Sequence, residues 1–353
     1  GSVGFVLLVI YNKNVIQKIK ILLLLNILLV NTAFGKELPA LFEVRVPNDQ
    51  YTNTNDGLNK AFNRLIQKLS GSRNKKFLWR VGDAKLNKID FVSSYSTEMI
   101  EEQEFLAVKF NSDALIPELR KIGMPLIGFN RPVVLILLKI DTGESTPTYL
   151  DNSVSENLFS KEIQQTLKNI ALERGIYIEL PEFDLEDNNL LSQTNVLFSP
   201  SNYIQEKFYN DAFLTIELAR IGINQWSVNG DLQAVTPLQE KQVISFFQNA
   251  LHAFLDDFLA VEPLEPGTSG EKVMVSIQGL NNFDDFKSAE SELDKIFAIK
   301  SRDFLSFERT KIDYVTQLFQ TTDALMKELR GSTKFLIKEY NADTNELKLE
   351  YLN

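Results

Sequence analysis

The chain of 353 residues contains no cysteine and one histidine, His252. Disulfides, thiolate metal sites, iron–sulfur clusters and cysteine nucleophiles are thereby excluded, and so are sites needing several histidines. Basic charge is also short: 37 Lys and Arg stand against 47 Asp and Glu, a net charge of -10. A general nucleic-acid binder would lean the other way, so no nucleic-acid partner is expected. Phosphate loops of the Gly-x-x-x-x-Gly-Lys or Gly-x-Gly-x-x-Gly type are missing, and no internal repeat is evident. No cofactor is implied. What remains is 44% hydrophobic and 24% charged, the balance of a globular chain long enough for two or three domains.

One short apolar run stands out. Residues 13–20 are basic, residues 21–30 are apolar apart from Asn26, and Ala33 and Gly35 are small residues at the spacing of a cleavage site. This pattern is a secretory signal peptide, with cleavage expected after Gly35 and a mature protein in the periplasm. An uncleaved leader anchoring the chain in the inner membrane is the alternative. Residues 1–12 precede the leader without an initiator methionine. They are read as an artefact of how the reading frame was delimited and set aside from fold reasoning.

After a leader at 1–35, the pattern divides the chain into an N-terminal α+β domain (36–127), a middle α/β domain (128–261), a Pro/Gly-rich linker (262–270) and a C-terminal α+β module (271–353). Net charge changes with it: +1 over 37–127, -12 over 128–270 and -3 over 271–353. The fold class expected is α+β, as two or three small sandwich modules, the middle one with a partly parallel mixed sheet.

In the first segment Phe42, Val44 and Val46 alternate as a strand. Leu58, Ala61, Phe62, Leu65, Ile66 and Leu69 recur at helical spacing up to Gly71. A strand over 104–110, with Phe105, Ala107 and Lys109 on one face, and a short helix from Asp113 follow. In the middle segment Val133–Leu138 is apolar without a break, the mark of a strand buried on both faces. A helix through Phe159, Ile163, Leu167 and Ile170 follows, then a strand at 176–180, an antiparallel pair at 212–219 and 225–235, and a helix faced by Val243, Phe247, Ala250, Leu251, Phe254, Leu255 and Phe258. The third segment reads β-α-β-β-α-β-β, and domain motion across the linker is the default expectation.

Three groups of residues invite a chemical reading. The helical neighbours of His252 place it on a polar, exposed face, which leaves a Ser-His-Asp triad without its base. Glu182, Asp184, Glu186 and Asp187 cluster just past a strand end, where a hard cation would find oxygen ligands, although no calcium-loop spacing is present; the plain alternative is a solvated acidic loop. Arg64, Lys68, Arg73, Lys75, Lys76 and Arg80, with Lys85 and Lys88 beyond, form a basic stretch interleaved with Phe77 and Trp79. Outside the cytoplasm its natural anions are lipid headgroups, cell-wall polymers and acidic protein surfaces. Its plain alternative is a helix end and loop kept soluble by charge, with the aromatics in the core.

The leader, then Leu-Phe-Glu-Val-Arg-Val-Pro (41–47), Leu-Ser-Gly (69–71), Gly-Met-Pro (123–125), Asn-Arg-Pro-Val-Val-Leu (130–135), Leu-Pro-Glu-Phe-Asp-Leu-Glu-Asp (180–187) and Asp-Ala-Phe-Leu (211–214), come in an order that resembles the proteobacterial family known as domain of unknown function 2066. The resemblance covers most of 38–260. It departs at 216–222, where a Gly-Arg pair would be expected. It implies an exported envelope protein and brings no catalytic residues. The middle segment also looks loosely similar to the α/β accessory domains of envelope assembly proteins, such as the TolB amino-terminal domain. The function expected is therefore a periplasmic, envelope-associated interaction or assembly-accessory protein without catalysis, with envelope proteins as partners. The alternative is a binder of an anionic polymer or lipid through 64–88, touching the membrane or cell wall peripherally. A third reading is a carboxylate-based hydrolase or metal site near 182–187.

Overall fold

Alternation and helical spacing set the first core. The computed structural model describes residues 36–192, 199–261 and 269–353; the expected leader and most of the expected linker lie outside the described residues. After β1 (Lys36–Glu37), strand β2 (Glu43–Pro47) leads to helix α1 (Thr54–Ser70). Asn53 caps α1 by accepting from the Asp56 N–H at 3.0 Å. Gly71 ends it with φ 70, a left-handed backbone suited to glycine. Helix α2 (Lys75–Asp83), strands β3 (Val92–Ile100) and β4 (Gln103–Phe110) and helix α3 (Ser112–Lys121) follow. The strands form an antiparallel sheet in the order β2-β4-β3. Val44, Val46, Leu106, Val108 and Phe110 pack against the apolar side of α1. Each side chain fully buried there stabilises by about 1.5–3 kcal/mol.

Two of these elements were not expected. β3 is mostly exposed and holds its place by pairing with β4 along its length, so no apolar alternation announces it. α2 stands where a loop is expected, because nine residues with Phe77 and Val81 as the buried positions give little periodicity. On β4 the buried set is Leu106, Val108 and Phe110, the face opposite to Phe105, Ala107 and Lys109.

The second core is built on β6 (Val133–Asp141), preceded by β5 (Asn130–Arg131) and followed by β7 (Thr148–Tyr149), α4 (Leu158–Arg174), β8 (Tyr177–Glu179), α5 (Leu185–Leu191), α6 (Pro200–Lys207), β9 (Ala212–Gly222), β10 (Gln225–Gly230), β11 (Leu238–Gln239) and α7 (Glu240–Phe258). The sheet runs β11-β10-β9-β6-β7, and β8 also pairs with β6. β6 is parallel to β8 and β9, whereas β9 and β10 are antiparallel, so the sheet is mixed. Val134, Ile136 and Leu138 meet α4 and α7 on one face. Leu135 and Leu137 meet Ile204 of α6 on the other, so the strand is buried twice.

The third core contains β12 (Lys272–Gln278), α8 (Phe283–Asp294), β13 (Ile299–Glu308), β14 (Lys311–Leu318), α9 (Thr322–Arg330), β15 (Phe335–Asn341) and β16 (Glu346–Tyr351). Its sheet order is β13-β14-β12-β16-β15, with β12 and β16 parallel. Ala289, Leu293, Leu325 and Leu329 of the helices seal the core. The chain is α+β.

The three cores are tied together. β1 pairs with β5, so the start of the first core lies beside its end. Phe297, from the third segment, belongs to the first core, with its ring 5.6 Å from Phe129 and 6.4 Å from Phe42.

Candidate functional site

Four of the six basic residues expected to face an anion are engaged within the protein. The Arg64 guanidinium donates to the Arg45 carbonyl at 2.9 Å and also to the Gln50 side chain. The Lys68 ammonium is buried and donates to the Glu43 carbonyl at 3.0 Å. Burial, reinforced by Arg131, pulls it down to about 7. Arg73 pairs with Asp256 at 3.1 Å. Arg80 donates to the Gly123 carbonyl at 2.9 Å. The long stems of Lys68 and Arg64 follow the packed side of α1 and spend their charge on carbonyls of the β2 region, so sequence density did not become surface density.

Lys75 and Lys76 are exposed. Between the buried Phe77 and Val81, Trp79 is 66% exposed, contrary to the expectation that both aromatics lie in the core. Lys75, Lys76 and Trp79 fall within one turn of α2 and share its outer face.

The acidic group is a folding device. Asp184 caps α5 by accepting from the Asp187 N–H at 2.8 Å, and Asp187 returns the bond to the Asp184 N–H at 2.9 Å. Lys207 reaches from α6 to both carboxylates, at 3.0 Å and 2.6 Å, and the Tyr203 hydroxyl donates to Asp187 at 2.7 Å. The Asp187 N–H, then Lys207, hold the Asp184 carboxyl below its ordinary range. Burial alone would raise Asp187, yet Lys207 and the Asp184 N–H keep it low as well. Glu182 and Glu186 stay exposed. Among the described residues no group of three or more His, Asp or Glu is placed to hold a metal, so the expected cation site of Glu182, Asp184, Glu186 and Asp187 does not form.

His252 is buried, which corrects its expected exposure. The stretch of α7 around His252 is covered, whereas Ser245 and Gln248 earlier on the same side face water. The covered stretch meets the end of α1 and the end of α4, and sequence periodicity cannot show a partner brought from 180 residues away. Arg174, 1% exposed, is the centre of this contact. Its Nη2 donates to the Gly71 carbonyl at 2.7 Å and lies 2.8 Å from Asp256 Oδ1. Its Nη1 lies 3.2 Å from both the carbonyl oxygen and Nδ1 of His252. A guanidinium only donates, so Nδ1 accepts and the imidazole proton sits on Nε2, 3.7 Å from Glu173. Burial pulls His252 below its ordinary value; Glu173 opposes this, and Arg73 and Arg174 add to it. With its lone pair occupied by Arg174, the ring has no free site from which to act as a base.

A second charged set joins the first and third cores. Glu328 of α9 accepts from the N–H groups of Phe297 and Ala298 at 2.8 and 3.0 Å. Burial raises its carboxyl to about 7 against the pull of those two bonds and of Arg131 and Arg120. Arg120 donates to the Phe297 carbonyl at 2.8 Å and lies 3.9 Å from the centre of the Phe319 ring. Arg131 is fully buried and donates to the carbonyls of Lys68 and Ile127 at 2.9 and 3.1 Å.

Residues 38–128, essentially the first core, match the family model of a domain of unknown function, DUF8605. No curated protein matches the chain. Among the described residues no helix is long and apolar enough to cross a membrane.

Proposed function

We propose that the protein is a non-enzymatic, envelope-associated interaction protein that rests against an anionic lipid surface through the outer face of α2. The observation that carries the reading is Trp79, 66% exposed and flanked by the exposed Lys75 and Lys76. An indole suits the boundary between headgroups and acyl chains, and each lysine near an anionic bilayer adds about 1 kcal/mol. The basic and apolar leader and the resemblance to the exported family support placement in the envelope. The charged clusters that suggested chemistry support a non-catalytic role, because they are committed to caps and intermodule contacts.

Vesicle flotation tests this reading. The full chain is expected to float with phosphatidylglycerol vesicles and to stay behind with phosphatidylcholine, with binding that falls as salt rises. Trp79→Ala and the double change Lys75→Ala, Lys76→Ala should each lower binding about fivefold or more. Equal recovery with neutral vesicles, or no change in either variant, would refute it.

A protein partner is the second reading, and a different observation favours it. Phe283, Phe304 and Phe307 are 68%, 64% and 50% exposed along α8 and the edge strand β13. A photocrosslinker placed at residue 304 should capture one reproducible envelope protein in cells, and one placed at residue 79 should capture lipid. Capture of nothing reproducible at residue 304 would remove the partner reading.

A further inference from the structure

Where the three cores meet, a cleft of about 200 Å³ opens. Its walls come from three places: Ile127 after α3, Phe258 and Leu259 at the end of α7, and Ala324 on α9. These walls are apolar. Lys327, one turn further along α9, and Arg330, nearly two turns further, also line it and are exposed to solvent. Two carboxylates border the cleft, Asp211 and Glu328, and both are already engaged. Asp211 accepts from the Val133 N–H and from the Tyr209 hydroxyl, each at 2.8 Å. Glu328 accepts from two backbone N–H groups, as described above. The acids are thus committed to the fold, whereas the two cations stand at the rim. Lys327 has only a loose pairing with Asp323, at 3.7 Å.

We propose that this cleft binds a free, single-chain fatty carboxylate of about eight carbons, with its chain between Ile127, Phe258 and Ala324 and its head at Lys327 and Arg330. Size sets the chain. An apolar cavity of about 150 Å³ holds a six-carbon ring, so this volume takes a slightly longer chain and not the two acyl chains of a phospholipid. Charge sets the head. A carboxylate at the rim gains two charge-assisted donors, while an ammonium there would meet two like charges. The position sets the consequence: a ligand touching Ile127 and Phe258 on the second core and Ala324 on the third binds the assembled molecule and not its separate parts, and it therefore stabilises the assembly.

The test uses the full chain and three eight-carbon probes, octanoate, octanol and octylamine, by calorimetry and thermal unfolding. Octanoate is expected to bind and to raise the melting temperature. Octanol should bind about tenfold or more weakly, and octylamine more weakly still. Lys327→Ala with Arg330→Ala should bring octanoate down to the level of octanol. Ala324→Phe, which fills the cleft from a half-buried helix position, should abolish binding of both. A diazirine-bearing octanoate, photolysed on the wild-type chain and mapped by mass spectrometry, makes the result independent of how the variants fold; labels should fall in 126–132, 258–261 or α9. Octylamine binding as tightly as octanoate, octanoate binding retained in Ala324→Phe, or labels confined to other segments would each overturn the proposal. The same diazirine-bearing acyl chain esterified within phosphatidylglycerol vesicles, without free acid, should give no label in the cleft; a label there would assign the site to bilayer lipid instead.

Discussion

Arg174 Nη1 lies 3.2 Å from Nδ1 of His252, and since the guanidinium has nothing but protons to offer, the histidine is held neutral in a single tautomer. The contact is a joint between two cores, because the same arginine donates to Gly71 at the end of α1. Protonation at Nδ1 would set one N–H against another.

The pH dependence follows from that geometry. The imidazole has an ordinary value of 6.5 and is lower in the folded chain. Its contribution to stability is complete above about pH 6.5 and is lost as pH falls from there toward the folded value. The wild type should lose stability relative to His252→Gln over that window, with a slope of at most about 1.4 kcal/mol per pH unit for one proton. Urea unfolding of both proteins between about pH 5 and 8 measures it. Parallel curves would mean that the ring stays accessible to protons in the folded state.

Glu328 works in the opposite sense. Its carboxyl is raised from 4.5 to about 7, so its contribution is full below pH 4.5 and is lost as pH rises through 7. The two residues partly cancel in the wild type, and single variants separate them. Glu328→Gln leaves one acceptor oxygen for two N–H groups. Since Gln does not titrate, its cost should be greatest below about pH 4.5, where it removes the stabilisation seen on acidification, and should shrink as the pH rises through 7. Circular dichroism melts at matched pH values decide the point.

Asp256 serves two arginines of unequal burial. Arg174 is 1% exposed and Arg73 is 36% exposed at their side chains. Asp256→Asn should therefore destabilise by about 2 kcal/mol, mostly through Arg174, since bonds to a charged group are the expensive ones to lose. Arg73→Ala should cost less than about 1 kcal/mol, as a half-exposed pair does. Equal losses in denaturant titrations would place the strain on Arg73 instead.

Two glycines give opposite outcomes. Gly71 has φ +70, and a Cβ there would stand 2.9 Å from the Leu259 carbonyl oxygen. Gly71→Ala should cost about 2–4 kcal/mol, adding a backbone penalty to a contact with rigid main chain. Gly82, within α2, has nothing within 4 Å of the same position. Gly82→Ala should stabilise by about 0.5 kcal/mol by restricting the unfolded chain. Melting temperatures of the pair provide the comparison.

The fold was largely legible because its strongest elements carry their own pattern. β6 announced its double burial through six apolar residues in a row, and α1 and α7 through helical spacing. β3 carried no such mark, because Ser93, Ser94, Ser96 and Thr97 face water and its order comes from β4. The sites fared worse for a related reason. Charge counts along a chain do not say which charges are spent. Lys68 and Arg73 look alike in sequence, yet one is buried against carbonyls and the other meets Asp256 from α7. Asp184 is a residue type that can cap a helix, but the reciprocal bond with Asp187 and the reach of Lys207 from α6 come only with the fold. His252 was not legible, because its surroundings are assembled from three separate stretches of chain.

The two-residue ladder between β1 and β5 has a mechanical meaning. Lys36 lies opposite Arg131 and Glu37 opposite Asn130, and the Leu38 N–H donates to Phe129 at 2.8 Å. The first core thus hangs from the rest as a closed loop, with its way in and its way out through one clasp. A load on the chain at Lys36 would reach Arg131, beneath the meeting point of the three cores, before it reached the sheet of the first core.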